Sequence, residues 1–455
     1  MCLSQEWHVS CADQYSRCPT KDAWVAGTTR RLRLELTVVS RRNGVRTIFC
    51  SAGRSLHVEE IMDLLGIDFR YPLFISSGPL TRSLEFLKTA EDAGVGAVST
   101  KLAFSKLPYK SQFRSYSIPG IGIIQPTERR LDFDEGLELV RRAREETSLV
   151  IAANVSGVEP QDWGPLCRAF EEAGAHFIEA NYCCPHLGLT RYLTTGEESK
   201  DVMGATIGQV PLIAQRVTGS IKEAISVPLI CKLPPSGFQL ETALACESAG
   251  ADAVHIFGGS LLALPPVDIK SGGRPQYPLL LGAALGSYHG PCNLYSTFRY
   301  VAEARSRLKL PVIASGGIKD WEDAIMMMMW GASAVGVCTH IIWHGFEEAR
   351  KITRGMEQYL EESEFTKYEN LVGCSLTHLV ASDQAEVIPG AAEIDPDLCK
   401  KCGQCIRIGH CNAIWRNDEA VPKVDAIRCI GCGVCANLCP AKAITMKAFQ
   451  LDVGR

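Results

Sequence analysis

The chain has 455 residues, a formal net charge of −4 and 46% hydrophobic residues. That size and apolar content suit one large domain with a smaller companion, and the near-balanced charge gives no basis for nucleic acid or an acidic surface as partner. No apolar run approaches the roughly 20 residues that span a bilayer. The N-terminus MCLSQEWHVS lacks the basic and apolar regions of a secretory signal. Twenty cysteines in such a chain read as reduced thiols and metal ligands, so a cytoplasmic location is expected.

Residues 1–61 include the basic stretch RRLRLELTVVSRRNGVRTIFCSAGR and show no clear partner segment. They read as a poorly ordered leader, or as a start placed too early with Met62 as the true beginning. From 71 to 342 two kinds of apolar segment alternate. One opens on a proline or small residue (YPLFISSG, SLVIAANVSG, VPLICKLPPS, LPVIASGGI). The other follows a helix ending in glycine, at Gly94, Gly174, Gly250 and Gly331. Both series recur at a period of roughly 80 residues. The strands are continuously apolar, as parallel strands covered on both faces are. Amphipathic segments such as DEGLELVRRAREE lie between them. Four strand–helix–strand–helix units predict an α/β fold, a (β/α)8 TIM barrel over 62–363, with an open doubly wound sheet as the alternative.

Reactive groups in such barrels sit at the C-terminal strand ends. Here those ends carry Ser76-Ser77-Gly78, Lys101, Asn154, Asn181 with Cys183-Cys184, Lys232, Phe257-Gly258-Gly259, Gly316-Gly317 and Cys338-Thr339. Lysines ending apolar strands need partners if buried; each alone could instead reach the rim. ASGGI, at 314–318, is a small-residue turn able to offer N–H groups to a phosphate.

A helical linker is expected over 364–393, then a small α+β domain over 394–447 and a tail over 448–455. CIGCGVCANLCP has the two, two and three spacing, then proline, of a bacterial [4Fe–4S] ferredoxin run, and CKKCGQCIRIGHC precedes it. Three cysteines of one run and the fourth of the other hold each cluster in two-cluster ferredoxins. One set is then Cys399, Cys402, Cys405 and Cys439; the other is Cys429, Cys432, Cys435 and Cys411, with His410 as an alternative fourth ligand. Structural zinc would more commonly use paired two-cysteine knuckles.

Through SSGPLT, STKLAF, IAANVSG, EANYCCPH, CKLPPS, ASGGI and VGVCTH, residues 62–363 resemble the FMN-dependent dihydroorotate dehydrogenase family. With the tail, 62–447 resembles the C-terminal half of dihydropyrimidine dehydrogenase and its bacterial catalytic subunit. The resemblance implies FMN and two [4Fe–4S] clusters. It implies Cys184 as acid/base, with His186 as proton relay or substrate contact, and Asn181 against substrate or flavin. FMN would be held by Ser76, Ser77, Gly78, Lys101, Asn154, Lys232, Gly316, Gly317, Cys338 and Thr339, and Phe257 and Gly258 would face the substrate. The implied reaction moves a hydride through flavin N5 and a proton through Cys184 across a CH–CH or C=C bond of a small cyclic substrate. No GxGxxG follows a strand in a βαβ context, so the implied electron partner is an NAD(P)H:FAD subunit or a soluble ferredoxin, in a homo- or hetero-oligomer.

Two departures from the family pattern stand out. The polar pair that ends strand six in pyrimidine enzymes is replaced by Phe257, Gly258 and Gly259, and the serine before the catalytic cysteine is Cys183. Both remove hydrogen-bonding groups from the expected pocket, so pyrimidines are expected to bind poorly. They also leave open an electron-transfer or assembly subunit that keeps FMN without its own turnover.

Overall fold

The computed structural model describes residues 37–42, 45–49, 55–56, 62–69, 71–187, 195–196, 203–259, 261–282, 284–416 and 420–449. It divides into two compact units, Met1–Leu376 and Thr377–Arg455. Within the expected leader, Thr37–Arg42, Val45–Phe49 and Ser55–Leu56 pair as an antiparallel sheet; its other residues lie outside the described ones.

Eight parallel strands close the barrel of the first unit. They are β1 (Leu73–Ile75), β2 (Ala97–Ser99), β3 (Val150–Ser156), β4 (Phe177–Asn181), β5 (Leu229–Leu233), β6 (Ala253–Phe257), β7 (Val312–Ser315) and β8 (Ala334–Val337). Each pairs with the next, and β8 returns to β1. The repeat in the sequence is this closure. Strands β1 to β5, β7 and β8 are buried throughout, as continuous apolar runs require.

The surrounding helices bury one stripe each. In α1 (Phe133–Glu146) the buried residues Gly136, Leu139, Val140 and Ala143 fall at the i, i+3, i+4, i+7 positions of one face. Full burial of a Leu or Val side chain contributes about 1.5–3 kcal/mol. Asp132 starts this helix by accepting the Glu135 N–H at 2.9 Å, while the Glu135 carboxylate takes the Asp132 N–H at 3.2 Å, a reciprocal cap for two otherwise unsatisfied donors. The same spacing buries Ala349, Ile352, Thr353 and Met356 of α2 (Glu347–Glu362).

Sequence reading missed a sheet over the C-terminal face. The excursions after β2 and β6 pair as four antiparallel strands in the order Leu261–Ala263, Gly286–His289, Gly122–Thr127, Arg114–Ile118. These strands are short and lack the periodicity that marks the barrel. Residues 364–393 hold three short 3-10 turns, Tyr368–Asn370, Cys374–His378 and Ser382–Gln384, where a helical linker was expected. Tyr368 and Leu371 pack into the barrel's apolar core.

The second unit is built on an antiparallel pair, β9 (Gly390–Ile394) with β10 (Ile444–Ala448). Ala392, Ile414, Cys435 and Ile444 form its core. Its two halves repeat. Asp395 and Asp425 each accept two loop N–H groups, and their carbonyls receive the Cys399 and Cys429 N–H groups at 3.1 and 3.0 Å.

Candidate active site

The C-terminal strand ends and the excursion sheet enclose a cavity of about 300 Å³. Most residues expected there line it: Ser76, Ser77, Gly78, Lys101, Asn181, Cys184, His186, Lys232, Phe257, Gly316, Gly317, Cys338 and Thr339. Cys183 does not; it is fully buried, because the chain bends after Asn181 instead of continuing as extended strand.

Two expected residues lie outside the wall. Asn154 is mid-strand in β3 and fully buried; its Oδ1 accepts from Asn181 Nδ2 at 2.9 Å and its Nδ2 donates to the Glu179 carboxylate. Gly258 packs against the helix α3 (Leu294–Arg307), where a Cβ would lie 1.8 Å from Thr297 Oγ1. Phe257 reaches the cavity, but the Lys232 ammonium stands 5.0 Å from its ring centroid and His289 lies 5.6 Å away. Its ring therefore supports a buried cation rather than offering a bare apolar wall.

The vicinal cysteines are anchored through Asn181. Its Oδ1 accepts both the Cys183 and Cys184 N–H groups at 2.9 Å. A chain of amides thus runs from the cysteine turn through Asn181 and Asn154 to Glu179.

Glu179 organises the floor. Its Oε2 accepts from Ser99 Oγ at 2.5 Å and from Asn154, and lies 3.5 Å from Lys232 Nζ. Its Oε1 takes His255 Nδ1–H at 2.5 Å, and Ser315 Oγ–H donates to His255 Nε2 at 2.7 Å. Burial opposes ionisation of Glu179, but Lys232 and His255 outweigh it and hold the carboxyl far below its usual range. Burial and the Lys232 charge keep His255 neutral. An ionised Glu179 can only accept, which makes Nδ1 of His255 the protonated nitrogen.

A second cluster comes from the excursion after β2. Glu128 is paired with both Lys101 and Arg130. Burial opposes its ionisation, yet the two cations hold its carboxyl at about 2, while burial lowers the Lys101 ammonium to about 8 against the pull of Glu128. His186 and His289, held at about 4 mainly by burial, are neutral at pH 7. Burial pushes the Cys338 thiol up to about 12, which keeps it protonated at neutral pH. Sequence reading missed Glu179 and His255, whose signal was a lone charged or titratable residue inside an apolar strand, HFIEAN and AVHIF. It also missed Gln125, Glu128, Arg130 and His289, which only the excursions bring to the wall.

The wall suits a flavin. Ser76 Oγ and Arg130 Nε are buried at the cavity without a hydrogen-bond partner among the described residues. Gly316 and Gly317 have φ of +129° and +100°, and a Cβ on Gly317 would lie 2.4 Å from the Leu294 backbone. Only glycine lets that turn lie so close to the start of α3, the close packing a phosphate-binding turn uses.

In the second unit, Cys399, Cys402, Cys405 and Cys439 line one cavity; Cys411, Cys429, Cys432, Cys435 and His410 line another. His410 Nε2 is 3.5 Å from Cys432 Sγ.

Comparison with known proteins agrees with this picture. The family described as dihydroorotate dehydrogenase matches residues 132–360, and the 4Fe-4S binding domain matches residues 422–445. The NAD-dependent dihydropyrimidine dehydrogenase subunit PreA of Escherichia coli (strain K12) is 26% identical over 411 residues, covering 86% of this chain and 95% of that protein. The dihydroorotate dehydrogenase B (NAD(+)) catalytic subunit of Methanothermobacter thermautotrophicus is 31% identical over 318 residues, 68% of this chain and 96% of that protein. Its counterpart in Pyrococcus furiosus is 30% identical over 322 residues, 69% and 97%.

Proposed function

This chain belongs to the dihydroorotate dehydrogenase family and is an FMN-dependent oxidoreductase of CH–CH bonds with a 4Fe–4S binding domain, and from that premise we propose that it exchanges hydrogen across a C=C bond of a small cyclic substrate held against Cys184. The observation that carries the reading is that Cys184 lines the cavity while Cys183 is sealed behind it.

When bound, FMN supplies the hydride chemistry at N5. Cys184 Sγ would hold the proton exchanged with substrate carbon, as a positioned acid/base does. Asn181 fixes the turn that aims it. Lys232 would hold the flavin on the side that gains negative charge on reduction and would offset that charge. Ser76, Ser77, Gly78, Lys101, Gly316, Gly317, Cys338 and Thr339 would hold the flavin. Neutral His186 can relay a proton or accept a hydrogen bond. In this reading the substrate's polar atoms are met by Gln125 and Arg130, since β6 ends in Phe257 and glycine.

Electrons would pass through two [4Fe–4S] clusters, one on Cys399, Cys402, Cys405 and Cys439, the other on Cys411, Cys429, Cys432 and Cys435. The grouping of those quartets around two cavities supports the count. A separate NAD(P)H:FAD subunit or a soluble ferredoxin would exchange them. The relatives support a partner subunit: one is an NAD-dependent dehydrogenase subunit, the others catalytic subunits of an NAD(+) enzyme.

The test is turnover by anaerobically purified holoenzyme with an artificial electron donor, offering uracil, orotate and non-pyrimidine cyclic C=C compounds while flavin absorbance is followed. Reduction of one of them that collapses in Cys184→Ala supports the reading. No turnover of any, with FMN and iron intact, would make the chain an electron-transfer subunit.

A further inference from the structure

Below the cavity, six consecutive barrel strands each contribute one buried polar side chain to a single network: Ser99 from β2, Asn154 from β3, Glu179 from β4, Lys232 from β5, His255 from β6 and Ser315 from β7. All are at most 3% exposed. Barrel interiors are ordinarily packed with branched apolar residues, and a buried carboxylate is costly unless its partners satisfy it. Such a layer needs a reason beyond packing, since a half-satisfied version would be worse than an apolar one.

The network meets the cavity at three side chains. Lys232 and Ser315 line it, as does Asn181, which joins the network through Asn154; Glu179 and His255 sit behind them and do not. Ser315 directly precedes the Gly316–Gly317 turn. The carboxylate–imidazole pair thus ties a cation on one side of the cavity to the start of the phosphate-type turn on the other.

We propose that Glu179 and His255 are positioning residues for the flavin: Glu179 counter-charges and fixes the Lys232 ammonium, and His255 fixes Ser315, so that together they set the affinity and reduction potential of the bound flavin without touching it. This rests on the reading of Lys232 as the residue facing the flavin's N1–O2 edge. The sign follows from charge. Glu179 partly cancels the Lys232 field, so removing the carboxylate charge strengthens the pull on the anionic reduced flavin.

The experiment measures FMN dissociation and the flavin midpoint potential, by equilibration with reference dyes, in the holoenzyme and in Glu179→Gln, His255→Gln, Lys232→Gln and the Glu179→Gln/Lys232→Gln double variant. Glu179→Gln is expected to move the potential to more positive values, and to do so far less in the Lys232→Gln background, because coupling between contacting residues is lost when either is absent. His255→Gln, neutral for neutral, is expected to weaken FMN binding by roughly tenfold, the loss of about one net hydrogen bond, with little change in potential. Three results overturn the proposal: an unshifted potential in Glu179→Gln, the same shift with and without Lys232, or unchanged FMN affinity in His255→Gln. Should Glu179→Gln not fold, His255→Gln still decides. An unaltered potential in Lys232→Gln alone would instead remove the underlying reading of Lys232.

Discussion

Two adjacent cysteines at the end of β4 have opposite environments, and the difference is chemical. Cys184 faces the cavity, where its thiol can meet a substrate carbon; Cys183 is enclosed, and burial pushes its thiol well above the usual range. Replacing Cys184 by Ala should leave FMN bound and lower turnover at least ~10²-fold, the contribution of a positioned acid/base; flavin absorbance and steady-state rates check both halves. Cys183→Ala should keep most of the activity, and the reverse pattern would exchange their roles. The histidines make a second expectation at this scale. His186 and His289 sit at about 4 in the fold against about 6.5 when unfolded. Between pH 6.5 and 4 the unfolded chain therefore binds protons that the folded one refuses, and stability falls as pH is lowered through that window. Both rings face the cavity and keep some access to water, so roughly 1–3 kcal/mol each is expected, read from denaturant unfolding at pH 7 and pH 4.5.

At the scale of elements, the site is made where regular strands stop. β7 ends at Ser315, and the following turn holds Gly316 and Gly317 at positive φ. A methyl group on Gly317 would collide with the backbone of Leu294 rather than with a movable side-chain end. Gly317→Ala should therefore push the turn away from α3 and release FMN, measured as flavin lost on gel filtration, while the barrel's far-ultraviolet circular dichroism stays unchanged. Retained FMN would mean that the turn does not help hold the phosphate. The excursion sheet matters equally, because the Gly122–Thr127 strand leads directly into Glu128 and Arg130, and Gly286–His289 supplies His289. Neither strand has the apolar run that announced the barrel.

For the molecule as a whole, the two units carry separable cofactor predictions. The holoenzyme should contain about one FMN and about eight iron atoms per chain. Cys439→Ser should bring iron to about four without loss of FMN, since Cys439 lines the cavity with Cys399, Cys402 and Cys405 rather than the one around Cys429. Zinc in place of iron would sink the electron-transfer scheme. The cysteine runs repeat thirty residues apart, Cys399, Cys402 and Cys405 against Cys429, Cys432 and Cys435, whereas Cys411 stands two places beyond the counterpart of Cys439. It still lines the second cavity, beside His410. If Cys411→Ser keeps all the iron, His410 is the ligand.

Local chemistry made the barrel and the cluster-binding runs legible without any structure. A parallel strand covered on both faces must be apolar throughout, a helix end before it favours glycine, and an iron–sulfur run must space its thiolates to reach one cluster; each demand is written within a few residues. Cys184, Lys101, Lys232 and the Gly316–Gly317 turn were legible for the same reason, as polar or small residues where apolar strands stop. What only the tertiary structure decided depends on residues far apart in the chain. Asn154 lies behind the wall because β3 runs on to Ser156. Gly258 is covered by Thr297 of α3. Phe257 is flanked by Lys232 and His289. Glu128 reaches Lys101 because an excursion folds back over the barrel mouth. A buried charge is tolerated only beside its partners, and those partners, Glu179 for Lys232 and Glu128 for Lys101 among them, become neighbours only when the chain folds.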